Sequence, residues 1–132
     1  MRGLDTNVLV RYLTADEPRQ LALAQCVLEE SERDREPVFL PVIVLCELVW
    51  VLSRAYDHKK AAIANALEHL LEVDRFQVEH DVLVRRSLDA YRNGAGSFSD
   101  YLIGEISLHY GCRDVVTFDR ALKGVRGFSV LG

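Results

Sequence analysis

Short apolar stretches of strand length alternate along this chain with longer stretches whose apolar residues recur at helical spacing, and this alternation is the strongest constraint on its fold. Gly3-Leu4 reads as the end of a first strand and Pro37-Val38-Phe39-Leu40 as a second, bounded by Pro41. Phe76-Gln77-Val78, Asp114-Val115-Val116-Thr117 and Phe128-Ser129-Val130 follow, the last as an edge strand. Between them, Asp5-Thr6-Asn7 opens a helix with Val8, Leu9, Tyr12 and Leu13 at helical spacing. A second helix runs from about Glu17 to Glu32, with Leu21, Ala24, Cys26 and Leu28 at apolar positions. Val42 to Leu52 is apolar nearly all round, which predicts a buried helix. Helices from about Lys59 to Glu72 and from Asp81 to Arg92 come next, and then one capped by Ser97 or Ser99 that stops at Gly111. Strands alternating with helices predict a parallel sheet covered on both faces, and such sheets bind ligands beyond the carboxyl ends of their strands.

A chain of 132 residues suits a single domain, 1–132, with one core. No apolar run approaches the roughly 20 residues that cross a bilayer. Asp5 and Arg11 interrupt any signal-like apolar region, so the expectation is a cytoplasmic protein without membrane contact. The cysteines Cys26, Cys46 and Cys112 are odd in number and contain no Cys-x-x-Cys pair; Cys46, in an apolar run, reads as a small buried side chain. His58, His69, His80 and His109 are scattered without ligand spacing, which speaks against zinc. The net charge of −4 argues against a broad basic nucleic-acid surface, although acids gathered around a divalent cation would create a different local field.

Four acids stand out. Glu47 has Ile43, Val44, Trp50 and Val51 as its helical neighbours, so no local cation pairs with it. Either it reaches a solvent edge or a distant arginine, or something ligates it, because an ionised carboxylate in apolar surroundings is costly. Asp5 and Asp119 each lie just past a predicted strand, and Asp100 lies in the first turn of a helix, three residues after Ser97. Helix capping alone explains each of these three. If all four converge, their repulsion opposes folding unless a cation intervenes, and hard oxygen ligands select magnesium or manganese. Thr6, Asn7, Ser99 and Thr117 supply neutral polar groups beside the acids, suited to supporting the ligands or contacting substrate phosphate.

At these residues the chain resembles a known family. LDTNVLVRYL around Asp5, VLCELVWVL around Glu47, FSDYLIGEISLHYGC around Asp100 and VVTFDRAL around Asp119 are similar, in order and spacing, to the signature segments of PIN-domain nucleases, and most of all to VapC-type toxins of toxin–antitoxin modules. The resemblance covers essentially the whole chain. It implies a PIN-like three-layer α/β/α sandwich with a central parallel sheet of four or five strands. It also implies a Mg²⁺-dependent endoribonuclease in which Mn²⁺ substitutes, with Asp5, Glu47, Asp100 and Asp119 as the catalytic and metal-holding acids, Asp119 directly or through water. Thr117 matches the family's hydroxyl residue two before the last acid, and Thr6-Asn7 the residues after the first; Ser99 departs from the small apolar or acidic residue common before Asp100. A homodimer and inhibition by a cognate VapB-type antitoxin are further implications, with Leu13, Val49, Trp50 and Tyr56 as apolar material for a partner to cover.

RNA reaching an acidic site needs cations nearby. Arg113, Arg120, Lys123 and Arg126 lie late in the chain and Arg11 lies close to Asp5; Arg11, Arg120 and Lys123 are the candidate RNA contacts, against the alternative of a solvated face. Two other functions use the same residues: a non-catalytic PIN-like scaffold, and a phosphatase or DNA nuclease with the same metal chemistry.

Overall fold

Leu4 is buried, and its N–H donates to the carbonyl of Phe39 at 3.1 Å, so the first strand is pinned to the second one residue before Asp5. The computed structural model describes residues 1–132, which form two compact units, Met1–Asp81 and Val82–Gly132.

In the first unit, β1 (Arg2–Gly3), β2 (Val38–Leu40) and β3 (Phe76–Val78) form a parallel sheet in that order. The register pairs Gly3 with Phe39 and Phe39 with Gln77. Burial alternates along β3, with Phe76 and Val78 inside and Gln77 exposed, as the two-residue strand period requires. The connections are α1 (Thr6–Thr14) and α2 (Pro18–Arg33), then α3 (Val42–Arg54) and α4 (Lys60–Glu72). Helix α1 packs on α2 and α3, and α3 on α4. Leu9, Leu45, Leu48, Leu52, Leu67 and Leu70 fill the core between helices and sheet, each almost wholly removed from water. Burial of a leucine side chain is worth about 1.5–3 kcal/mol, so these residues dominate the unit's cohesion.

Helix ends follow local chemistry. Glu17 accepts from the N–H groups of Arg19 and Gln20 and starts α2, with Pro18 in the first turn where no N–H is missed. Pro41 precedes α3 and offers no side-chain cap; the carboxylate of Glu79, just past β3, accepts from Val42 N–H at 2.9 Å instead.

In the second unit, α5 (Asp81–Asn93) and α6 (Phe98–His109) accompany a two-stranded parallel sheet of β4 (Val115–Thr117) and β5 (Phe128–Val130). A short 3₁₀ turn, Arg120–Leu122, lies between the two strands. Phe98 and Tyr91 meet edge to face at 6.2 Å, and the buried Tyr101 is satisfied at its hydroxyl, which accepts from Gly96 N–H at 3.0 Å. Helix α6 ends where Gly111 adopts a positive φ of 93°. Gly111 N–H then reaches Leu108 and Cys112 N–H reaches Ser107, the paired bonds of a glycine-terminated helix.

These elements agree with the expected α/β class. The strands pair parallel within each sheet, three in the first unit and two in the second. Helix α3 departs from expectation. It is not buried all round: Ile43, Glu47, Trp50 and Arg54 form an exposed stripe, with Ile43 at 65% and Trp50 at 63% exposure, while Val44, Leu45, Leu48 and Leu52 face inward. Composition could not reveal this, because its apolar residues outnumber the positions the core needs. Cys26, expected at an apolar position, is exposed, and Cys46 is half-buried, with its thiol pushed above the ordinary range by that burial.

Candidate active site

Asp5 sits at the N-cap of α1, with extended backbone, and its Oδ1 accepts from Thr6 N–H at 2.7 Å. The strand before it and the helix after it leave the other oxygen without a hydrogen bond. Thr6 is buried at 4% exposure, and its hydroxyl has no partner. Asn7 is exposed one residue further on. Glu47 lies mid-way along α3, which packs on α1. It is exposed and carries neither a hydrogen bond nor an ion pair. Its carboxylate is therefore solvated rather than trapped in apolar surroundings, which agrees with the solvent-edge alternative left open by its sequence neighbours.

In the second unit, Asp100 and Ser97 form a capping box. Ser97 Oγ accepts from Asp100 N–H at 3.1 Å, and Asp100 Oδ2 accepts from Ser97 N–H at 3.0 Å. Ser99 Oγ lies 3.2 Å from Ser97 Oγ, so the serines and the acid form one polar group. Asp119 caps the 3₁₀ turn through Ala121 N–H at 2.9 Å, and its own N–H donates to Thr117 Oγ1 at 3.0 Å. Each aspartate thus spends one oxygen on its own backbone, which orients the carboxylate, and keeps the other available.

The structure joins Asp5 to Thr6, Asp100 to Ser97 and Asp119 to Thr117; no hydrogen bond links Asp5 to Glu47 within the first unit or Asp100 to Asp119 within the second. Within either unit taken alone, no three His, Cys, Asp or Glu side chains are gathered around one ion position. The donor chemistry of each unit is of the kind hard divalent cations take: Asp5 and Glu47 in the first, with the unpartnered Thr6 hydroxyl beside Asp5, and Asp100 and Asp119 in the second, none of them ion-paired.

The candidate cations divide. Arg11 is half-buried and committed, with Nε donating to Gln20, Nη1 to Tyr56 Oη at 2.9 Å, and Asp16 at 3.6 Å. Arg126 pairs with Glu105, and Arg120 donates to the Gly132 carbonyl at 3.0 Å. Arg120 and Lys123 line a pocket of about 360 Å³ with Gly124, Ser129, Val130 and Gly132. In the first unit a pocket of about 300 Å³ lies between α1 and α2, lined by Asn7, Val8, Arg11, Gln20, Leu23, Ala24 and Val27. Sequence reasoning missed Glu79, although the same signal that marks Asp5 and Asp119, an acid just past a strand, applies to it. Its place at the N-terminus of α3 makes it a support for the helix that carries Glu47.

Residues 4–127 match the PIN domain, a span that contains every acid described above and runs through both units. The chain belongs to the PIN-domain family, whose nucleases generally use divalent metals. It is also 31% identical over 123 residues to the VapC ribonuclease of Aquifex aeolicus (strain VF5), covering 93% of this chain and 90% of that protein. Within the family it is therefore of the VapC type. No helix is long and apolar enough to cross a membrane.

Proposed function

We propose that this protein, as a single domain over residues 1–132, is a Mg²⁺-dependent endoribonuclease acting in the cytoplasm, the toxin of a toxin–antitoxin pair restrained by a VapB-type antitoxin. The observation that carries the reading is the state of the acids. Asp5, Asp100 and Asp119 each stand at the start of a helical turn with one oxygen fixed and one free, and Glu47 is exposed without a cation partner. We assign these four as the residues that hold the ion. When bound, a divalent cation supplies an activated water and relief of the charge that develops at phosphorus.

The chain's own groups do the orienting. Ser97 holds Asp100, Thr6 N–H holds Asp5, and Thr117 holds the backbone at Asp119. Ser99, Thr6 and Asn7 supply polar groups toward ligand water or phosphate, and Arg120 and Lys123 attract the RNA backbone. The engagement of Arg11 with Gln20, Tyr56 and Asp16 reduces its fitness as an RNA contact. The apolar stripe of Ile43 and Trp50 supports a homodimer, and the groove between α1 and α2 suits an antitoxin segment.

The test is cleavage of labelled RNA, single-stranded DNA and a phosphomonoester with Mg²⁺, Mn²⁺ or EDTA. RNA is expected to be cut with either metal and spared in EDTA. Asp100→Asn, whose amide oxygen still accepts from Ser97, is expected to melt like the wild type and to lose nearly all cleavage. Full activity in that variant, or cleavage of DNA alone, would overturn the proposal.

A further inference from the structure

Phe118 is 81% exposed, the most exposed of the chain's large apolar side chains. It lies between Thr117 and Asp119, in the bend that follows β4. Val115 and Thr117 are half-buried, Val116 between them is exposed, and Phe118 just past the strand is exposed as well. The backbone on both sides is held, by Leu131 N–H to the Thr117 carbonyl at 2.8 Å and by Asp119 N–H to Thr117 Oγ1 at 3.0 Å. The ring is thus presented to water from a fixed mount. Immediately after Asp119 come Arg120 and Lys123, which line the pocket of about 360 Å³. The Lys123 side chain forms neither a hydrogen bond nor an ion pair, and Arg120 pairs with no side-chain carboxylate, spending one guanidinium N–H on the Gly132 oxygen at 3.0 Å.

An apolar flat ring, an acid assigned to the reacting centre and two cations without a side-chain carboxylate partner, all within six residues, match the needs of a nucleic-acid strand: a face for a base and charge for its phosphates. The cations favour a polyanion over an apolar protein surface. We propose that Phe118 stacks against a base of the RNA next to the cleaved bond, while Arg120 and Lys123 hold an adjoining phosphate. The inference rests on the ribonuclease reading above. Phe118 acts here as a positioning residue for the strand, not as a participant in proton or phosphoryl transfer.

The test uses the full chain in EDTA and a single-stranded oligoribonucleotide carrying 2-aminopurine, whose fluorescence falls when it stacks. Wild-type protein is expected to bind and quench it. Phe118→Ala should bind roughly ten- to a hundredfold more weakly, the loss expected for one base–aromatic stack. Phe118→Trp should restore affinity and quenching, and Phe118→Leu should not, which separates stacking from apolar contact. With Mg²⁺, Phe118→Ala should raise KM for RNA far more than it lowers kcat. Wild-type affinity in Phe118→Ala or Phe118→Leu overturns the proposal, as does a changed sedimentation mass with RNA affinity intact, which would make this face a protein interface. If the wild type cleaves RNA while Phe118→Ala behaves identically, stacking alone falls. If the wild type neither binds nor cleaves RNA, the ribonuclease reading falls and takes stacking with it.

Discussion

The backbone N–H of Asp119 donates to the hydroxyl of Thr117 across 3.0 Å, so the last side chain of β4 governs how the chain approaches the acid two residues later. Thr117→Val keeps the shape and removes the acceptor. Because Asp119 is exposed, water can replace the lost bond, and the stability cost should stay near the usual net value of about 0.5–1.5 kcal/mol. Cleavage should fall much further than stability, and Thr117→Ser should recover it. Urea midpoints and single-turnover cleavage, measured on the same preparations, check both expectations.

Glu47 separates function from folding. It is exposed, unpaired and mid-helix, so Glu47→Gln should change stability by no more than about 0.5 kcal/mol, the ordinary range for such surface positions. The same change should nearly abolish cleavage. It should also weaken Mn²⁺ binding as measured by calorimetry. Cleavage at the wild-type rate would remove Glu47 from the site.

Asp16 joins three parts of the first unit. The Tyr56 hydroxyl donates to it at 2.8 Å and the Thr14 hydroxyl at 2.8 Å, and these bonds, with Arg11 nearby, hold its carboxyl below the usual carboxylate range. A depressed folded-state pKa adds stability that is present above the unfolded value, about pH 4, and is lost as pH falls through the folded value. Tyr56→Phe removes the largest cause. The stability gap between wild type and Tyr56→Phe should therefore be widest near neutrality and narrow below about pH 4. Denaturation midpoints across pH 3–7 read this directly, and a gap that does not vary with pH would refute it.

Gly104 inverts a propensity rule. Alanine in place of a helix-interior glycine normally stabilises by up to about 1 kcal/mol. Here an added Cβ would lie 2.8 Å from Cε2 of Phe128 on β5, closer than such atoms approach. Gly104→Ala should destabilise by about 1–3 kcal/mol through overpacking. Phe128→Leu in the same chain should relieve it, so that the double variant is more stable than Gly104→Ala alone, as thermal melting would show.

Much of this architecture was legible in the order of residues, because strand and helix periods, caps and terminators are local. Ser97 with Asp100, Glu17 with Pro18, and Gly111 after α6 act through neighbours within a few residues, and each does in the structure what its chemistry foretells. The candidate acids were legible for the same reason, since an acid just past a strand is a pattern in one dimension. What the order of residues could not supply was the far side of each contact. Glu47 looked stranded among apolar neighbours, yet packing turned Leu45 and Leu48 inward and left Glu47 in water with Ile43 and Trp50. Arg11 looked free until Tyr56, 45 residues away, claimed it, and the uncapped start of α3 found Glu79 from 37 residues away. Sequence alone determined which segments become helix or strand and where carboxylates stand along them. Tertiary structure decided which of those charges meet water and which meet a partner, because solvation and pairing depend on neighbours brought close only by folding.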